Sequence, residues 1–134
     1  MCLPSPATSR LPEPDEQLTP HFRLSEFRCP CCGQVLREPA LLLATRLEPV
    51  RDIIGPIIID SGFRCHRRNE QVKGQPNSAH LRGLAADIAC TDDTARFDLV
   101  SALLYHGFLR LGIAEKSVHA DIDTISGPII WTYY

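Results

Sequence analysis

The chain has 134 residues, 44% of them hydrophobic and 22% charged, with a formal net charge of -2. That length supports one domain around one core, and the near-neutral charge excludes the basic footprint of a nucleic-acid or membrane-surface binder. No run approaches the roughly 18 apolar residues of a spanning helix, so no stable membrane insertion is expected.

The first residues, Met1-Cys-Leu-Pro-Ser-Pro6, carry neither a basic n-region nor an apolar h-region. They do not read as a Sec signal, and the expectation is a protein that is cytoplasmic as synthesised or delivered by another route. Residues 1–20 contain five prolines, at 4, 6, 12, 14 and 20. Proline supplies no amide donor and the segment is polar, so it reads as a flexible arm ahead of a domain over 21–134. Order is expected to begin near Phe22-Arg-Leu-Ser-Glu-Phe27. There Ser25 is placed to cap a short turn, with Phe22, Leu24 and Phe27 packing inward.

Six cysteines, at 2, 29, 31, 32, 65 and 90, do not form an evenly spaced disulfide framework. Reduced thiols are the default without a secretory signal. Cys29-Pro-Cys-Cys-Gly33 looks like half of a zinc knuckle, but no second CxxC or HxxxH lies nearby in sequence. Cys65 could approach it in space; the alternative is a set of loop thiols.

Residues 38–54 read as the main helix. Pro39 suits its first turn, and Leu42, Leu43, Arg46, Leu47, Val50 and Ile54 recur at three- and four-residue spacing. Pro49 is expected to kink or split it, and Gly55-Pro56 to end it. Ile57-Ile-Ile-Asp60 reads as a short buried strand, Cys65–Val72 as a short helix and Lys73–Asn77 as a loop. Ala85–Ala89 reads as a second strand. Asp92 or Asp93 is placed to cap a helix from Thr94 to about His106, with Phe97, Val100, Leu103 and Leu104 inward and Gly107 ending it. Phe108–Ile113 and Ser117–Ile122 read as strands joined at Ala114-Glu115-Lys116, and the aromatic tail Ile129–Tyr134 as a closing strand. The order argues for an α+β fold.

Within this frame Ser78-Ala-His-Leu-Arg-Gly-Leu-Ala-Ala-Asp87 and Val118-His119-Ala-Asp121 stand out. His80, Asp87 and His119 offer two imidazoles and a carboxylate, and Gly83 allows a sharp turn between the first two. Such a trio leaves one zinc position open, as catalytic sites do. The other reading is of hydrogen-bonded core histidines.

The wording Ser78-x-His80-x-x-Gly83-x-Ala85-x-Asp87, followed by Val118-His119-x-Asp121, resembles the zinc peptidases of family M15. These are D-Ala-D-Ala carboxypeptidases and peptidoglycan endopeptidases, phage endolysins among them. Phe22–Phe27, Leu47-Glu-Pro-Val-Arg51, Ile59-Asp-Ser-Gly-Phe-Arg64, Asn69 and Gly74–Ser78 also fit, so the likeness spans roughly residues 22 to 123. It implies a small, mostly antiparallel sheet flanked by helices, the fold of D-Ala-D-Ala carboxypeptidases and hedgehog-like proteins. It implies Zn2+ as cofactor, held by His80, Asp87 and His119. It also implies a peptidoglycan peptide as substrate, action on the cell wall after release or non-Sec delivery, and a monomer.

Arg64 matches the arginine that faces substrate in such relatives, where it would bind a peptide carboxylate or polarise the scissile carbonyl. The alternative is a structural ion pair. Ser78 matches a serine that either bonds substrate or shapes the loop. Many relatives place the catalytic carboxylate three residues before the last histidine ligand; here that residue is Lys116. Glu115 is the nearest replacement as general base. Asp121, on the same strand face as His119, is placed to orient an imidazole or, as the alternative to Glu115, to act as the base.

Overall fold

The computed structural model describes residues 15–125 and 127–133. The arm expected over residues 1–20 lies outside the described residues as far as position 14. From Asp15 onward the chain already belongs to the folded unit. Strand β1 (Gln17–Thr19) pairs antiparallel with β2 (Phe22–Arg23). Glu16 forms an ion pair with Arg37, and Asp15 accepts from the Ser25 backbone and hydroxyl. Ser25 is therefore not the cap expected of it. The Arg23 amide instead bonds Glu26 (2.7 Å) at the start of a 3-10 turn, Leu24–Phe27. Phe22, Leu24 and Phe27 are buried as expected.

Helix α1 (Arg37–Ile54) runs unbroken through Pro49, so the expected split does not occur. Proline removes one hydrogen bond, but the helix is held by a buried stripe of Ala40, Leu43, Ala44, Leu47 and Val50. Leu42 faces solvent, and the alanines take the place given to it. Strand β3 (Ile59–Ser61) begins two residues later than expected and lies at the sheet edge, leaving Ile58 exposed. Helix α2 (His66–Gln71) follows after the short segment 62–65. A second 3-10 turn, Ala79–Arg82, is capped by Ser78 and closed by Gly83 in the left-handed region (φ 72°). That turn leads to β4 (Ala85–Ala89).

Asp92 caps α3 (Asp93–Tyr105) by accepting from the Ala95 amide. Its buried face is Leu99, Ala102 and Leu103. Phe97 and Leu104 point outward, against expectation, because the pattern lies one step round the helix. Strands β5 (Arg110–Ile113), β6 (Ser117–Asp121) and β7 (Ile129–Thr132) complete the fold.

The main sheet has the order β3-β4-β6-β5-β7. It is antiparallel except for the β5–β7 pair. Alternation divides its residues between two faces. Ile88, Val118, Ala120 and Leu111 join Leu43, Leu47, Leu103 and Phe108 in the core under α1 and α3. Each of the larger side chains in this set contributes roughly 1.5–3 kcal/mol of burial. The opposite face is left for chemistry. The register there puts Ser61, Asp87, His119, Gly112 and Trp131 in one row across all five strands. Residues opposed in this way project to the same side.

Candidate metal centre

Two turns and two central strands build the site. The Ser78 hydroxyl accepts from the His80 amide (3.2 Å) and fixes the 3-10 turn that carries His80. The Arg64 amide donates to the His80 carbonyl (3.0 Å), tying that turn to the segment after β3. Asp87 and His119 face each other from β4 and β6. His80 and His119 are buried, and Asp87 is nearly so.

The three side chains converge. His80 Nε2 lies 3.2 Å from His119 Nδ1 and 3.3 Å from Asp87 Oδ1, and His119 Nδ1 lies 3.1 Å from the same oxygen. The outer ring nitrogens decide what these inner atoms can do. His80 Nδ1 sits 2.7 Å from the Gly62 carbonyl, which can only accept, so this nitrogen carries the proton. His119 Nε2 sits 2.7 Å from Asp121 Oδ2, another acceptor, and is protonated for the same reason. In neutral rings the remaining nitrogens therefore present lone pairs to each other and to a carboxylate oxygen. That arrangement is repulsive unless a cation, either a proton or a metal ion, lies among them.

A tetrahedral zinc with bonds of about 2.0–2.1 Å separates its donors by about 3.3 Å, and the observed separations match. Two imidazoles and one carboxylate are also a donor set zinc accepts, with a fourth position open.

The electrostatics agree. Burial opposes ionisation of Asp87, but its bonds to His119 and His80 outweigh this and hold the carboxyl well below its usual range. Burial likewise opposes charge on His119, but Asp121 and Asp87 together raise its affinity for a proton. A proton is thus the competitor that a metal displaces.

Around this set the chain supplies fixed partners. Arg64 donates from Nη2 to Asp87 Oδ2 (3.0 Å), from Nη1 to Asn69 (3.3 Å) and from Nε to Ser61 (3.2 Å). The bond to Oδ2 leaves Oδ1 for the inner face. Asp121 accepts on its other oxygen from Arg110 Nε (2.8 Å) and the Asp123 amide (3.1 Å). Arg110 lies over the Trp131 ring, and Trp131 packs 5.1 Å from the His119 ring.

These residues open onto a cavity of about 760 Å³ whose wall also includes Lys73, Ser78, Asp123 and Tyr133. Burial pushes the Tyr133 phenol up, so it stays an O–H donor at neutral pH.

The structure therefore brings together His80, Asp87, His119, Arg64, Ser78 and Asp121. It does not bring Glu115 with them. Glu115 is exposed in the β5–β6 turn and is not part of the cavity wall, although its neighbours Ala114 and Ser117 are close by on that wall. Ser78 acts on the loop through its bond to His80 and also lines the cavity.

Sequence reasoning missed Gly62, whose carbonyl sets the His80 tautomer, as well as Arg110, Trp131 and Tyr133. One signal was available: Gly112 inside a strand marks a close approach. A Cβ there would stand 2.7 Å from the Trp131 ring and 2.8 Å from Tyr133.

A family model described as Peptidase M15 matches residues 20–123. The zinc D-Ala-D-Ala carboxypeptidase of Streptomyces albus G is 31% identical over 93 residues, covering 68% of this chain and 36% of that protein. The chain thus spans little more than a third of that relative's length. Among the described residues no helix is long and apolar enough to cross a membrane. The matched segment contains every residue of the converging trio and its partners except Trp131 and Tyr133, and zinc is the metal of such peptidases: this chain belongs to the M15 peptidase family.

Proposed function

We propose that this domain hydrolyses peptide bonds in the stem or cross-link peptides of bacterial peptidoglycan, with zinc held by His80, Asp87 and His119. The observation that carries this reading is the pair of inward lone pairs beside Asp87, each fixed by an outer hydrogen bond and open to a cavity. Zinc in such a place supplies Lewis acidity toward a water and a peptide carbonyl.

The chain's own groups do the rest. Asp121 and the Gly62 carbonyl hold the two imidazoles in the tautomers that can bind a metal. Arg64 holds Asp87 and presents its guanidinium at the cavity wall, where a peptide carboxylate or a developing oxyanion would meet it. Lys73 adds a second cation on that wall. Tyr133 offers a hydroxyl for substrate carbonyl or leaving nitrogen.

The cavity carboxylates have prior engagements: Asp87 with Arg64, Asp121 with His119 and Arg110, and Asp123 with Arg82. This favours a second reading, a zinc-stabilised domain that binds cell wall or serves phage assembly without turnover. Release of new amino groups from purified cell wall, measured with zinc, with chelator and after zinc is restored, separates the two. The enzyme reading expects release that chelator abolishes and zinc recovers. Wall binding with no release under any metal condition would establish the second reading instead.

A further inference from the structure

The cysteine cluster that the peptidase reading leaves unused has a geometry of its own. Cys29, Cys32 and Cys65 place their sulfurs within 4.8 Å of one another, and Cys29 Sγ lies 3.8 Å from Cys65 Sγ. Cys29 is wholly buried, Cys32 nearly so, and Cys65 partly. None of the three is in a disulfide.

The Cys29–Gly33 segment is a tight turn. The Gly33 amide donates to the Cys29 carbonyl (2.9 Å), Gly33 has φ 76°, and the Cys29 amide donates to the Gln34 carbonyl (2.8 Å). The Arg68 amide points at the Cys65 sulfur (3.4 Å). Backbone donors directed at sulfur favour thiolate over thiol.

We propose that Cys29, Cys32 and Cys65 bind a second, structural zinc, distinct from the one at the histidine pair and completed by a donor outside this triad. A tetrahedral zinc–thiolate site with bonds of about 2.3 Å spaces its sulfurs about 3.8 Å apart, which is the Cys29–Cys65 separation. Cys29 and Cys32 have the C-x2-C spacing of zinc-binding turns. The partner missing from the local sequence arrives from Cys65, after β3.

The site also has a mechanical reason to exist. Among the described residues, the cluster's buried apolar part apart from the cysteines is Phe63, set off from the main core. So small a cluster gives little hydrophobic stabilisation. Yet this junction must hold residues 61–65, which present the Gly62 carbonyl to His80 and the Arg64 guanidinium to Asp87. One zinc there would fix the turn after Phe27 to the segment that orients the histidine site.

The test uses the intact protein expressed with zinc. The histidine set offers only nitrogen and oxygen donors, so any zinc–sulfur distance comes from cysteine. X-ray absorption at the zinc edge is expected to show zinc–sulfur neighbours at about 2.3 Å in the wild type. Metal analysis is expected to give about two zinc per chain. His80→Ala/His119→Ala is expected to keep one, now with sulfur neighbours dominant. Cys32→Ser and Cys65→Ser are each expected to lose one while the nitrogen-ligated zinc remains. If those serine variants do not fold, the wild-type spectrum still decides. A spectrum without zinc–sulfur neighbours overturns the proposal. So does titration showing these three cysteines oxidised in the zinc-loaded protein. Neither result touches the peptidase reading, which the amino-group assay tests separately.

Discussion

Asp121→Asn is the sharpest test of how the histidine pair is held. Asp121 is almost fully buried and accepts from His119 Nε2 at 2.7 Å, which leaves the Nδ1 lone pair facing inward. Asparagine keeps the shape but loses the charge, and its amide can present N–H as readily as C=O. Loss of such a supporting partner weakens metal binding about 10- to 100-fold, or about 1.4–2.8 kcal/mol. The variant also removes the carboxylate from Arg110, whose side chain is 22% exposed, and that adds a stability loss unrelated to the metal. Arg110→Gln separates the two effects, since it breaks the ion pair while leaving the His119–Asp121 bond in place. Zinc affinity of the histidine site is measured by competition with a chromophoric chelator, on both variants and wild type. Asp121→Asn is expected to lose one to two orders of magnitude, and Arg110→Gln to stay within about threefold. Equal loss in both, or none in Asp121→Asn, would refute the claim that Asp121 acts by setting the imidazole's tautomer.

Glu115→Gln is expected to keep turnover within about threefold, whereas removal of a working general base costs roughly 10²–10⁴; steady-state rates on cell wall decide it. Arg64→Gln leaves Asp87 Oδ2 without its cation and is expected to lower activity about 10- to 100-fold, with far-UV dichroism unchanged. Gly62→Ala would set a Cβ 2.7 Å from Phe27 Cα and 2.8 Å from its carbonyl oxygen. Backbone cannot yield there, and a loss of about 3 kcal/mol or more is expected in urea unfolding. Finally, pH separates the stripped and zinc-loaded forms. Asp87 is held below its ordinary 3.8, so its contribution is present above that value and fades as pH falls through the lower folded one. His119 is held above its ordinary 6.5, so its contribution is full below that value and is lost as pH rises through the higher folded one. The stripped domain is therefore expected to be most stable between the two. Zinc, which needs both imidazoles deprotonated, is expected to move the optimum upward. Denaturation midpoints from about pH 3 to 9 test this, and an unchanged optimum would count against it.

Periodicity made the elements legible where local pattern and tertiary contact agreed. Ala85–Ala89 was readable to the residue, because a short apolar run ending in turn residues has few alternatives. Helix faces were less so. Leu42 and Phe97 looked inward by spacing, yet both are exposed, because small residues let the helices sit close to the sheet along a different stripe: Ala40 and Ala44 on α1, Ala102 on α3. Propensity cannot report that choice, since it is made by the partner surface. The Pro49 break failed for a related reason, as a helix fixed by burial on both sides of a proline tolerates one lost hydrogen bond.

The converging trio of His80, Asp87 and His119 was legible because its members sit in short, spaced motifs, but its supports were not, because they are brought together by strand register. Ser61, Asp87, His119, Gly112 and Trp131 are scattered over more than seventy positions and become neighbours only when β3, β4, β6, β5 and β7 pair in that order. Gly112 shows what the row requires. His119 on β6 and Trp131 on β7 are separated by β5, and their rings approach to 5.1 Å because the intervening residue has no side chain. Gly112→Ala is therefore expected to push the indole off His119 while leaving the β5–β6 pairing intact. The protein has one tryptophan, so its emission reports this displacement directly. A shift in emission with lowered zinc affinity is the expected pair of results. Unchanged emission would mean that the aromatic wall is not positioned by the gap at Gly112.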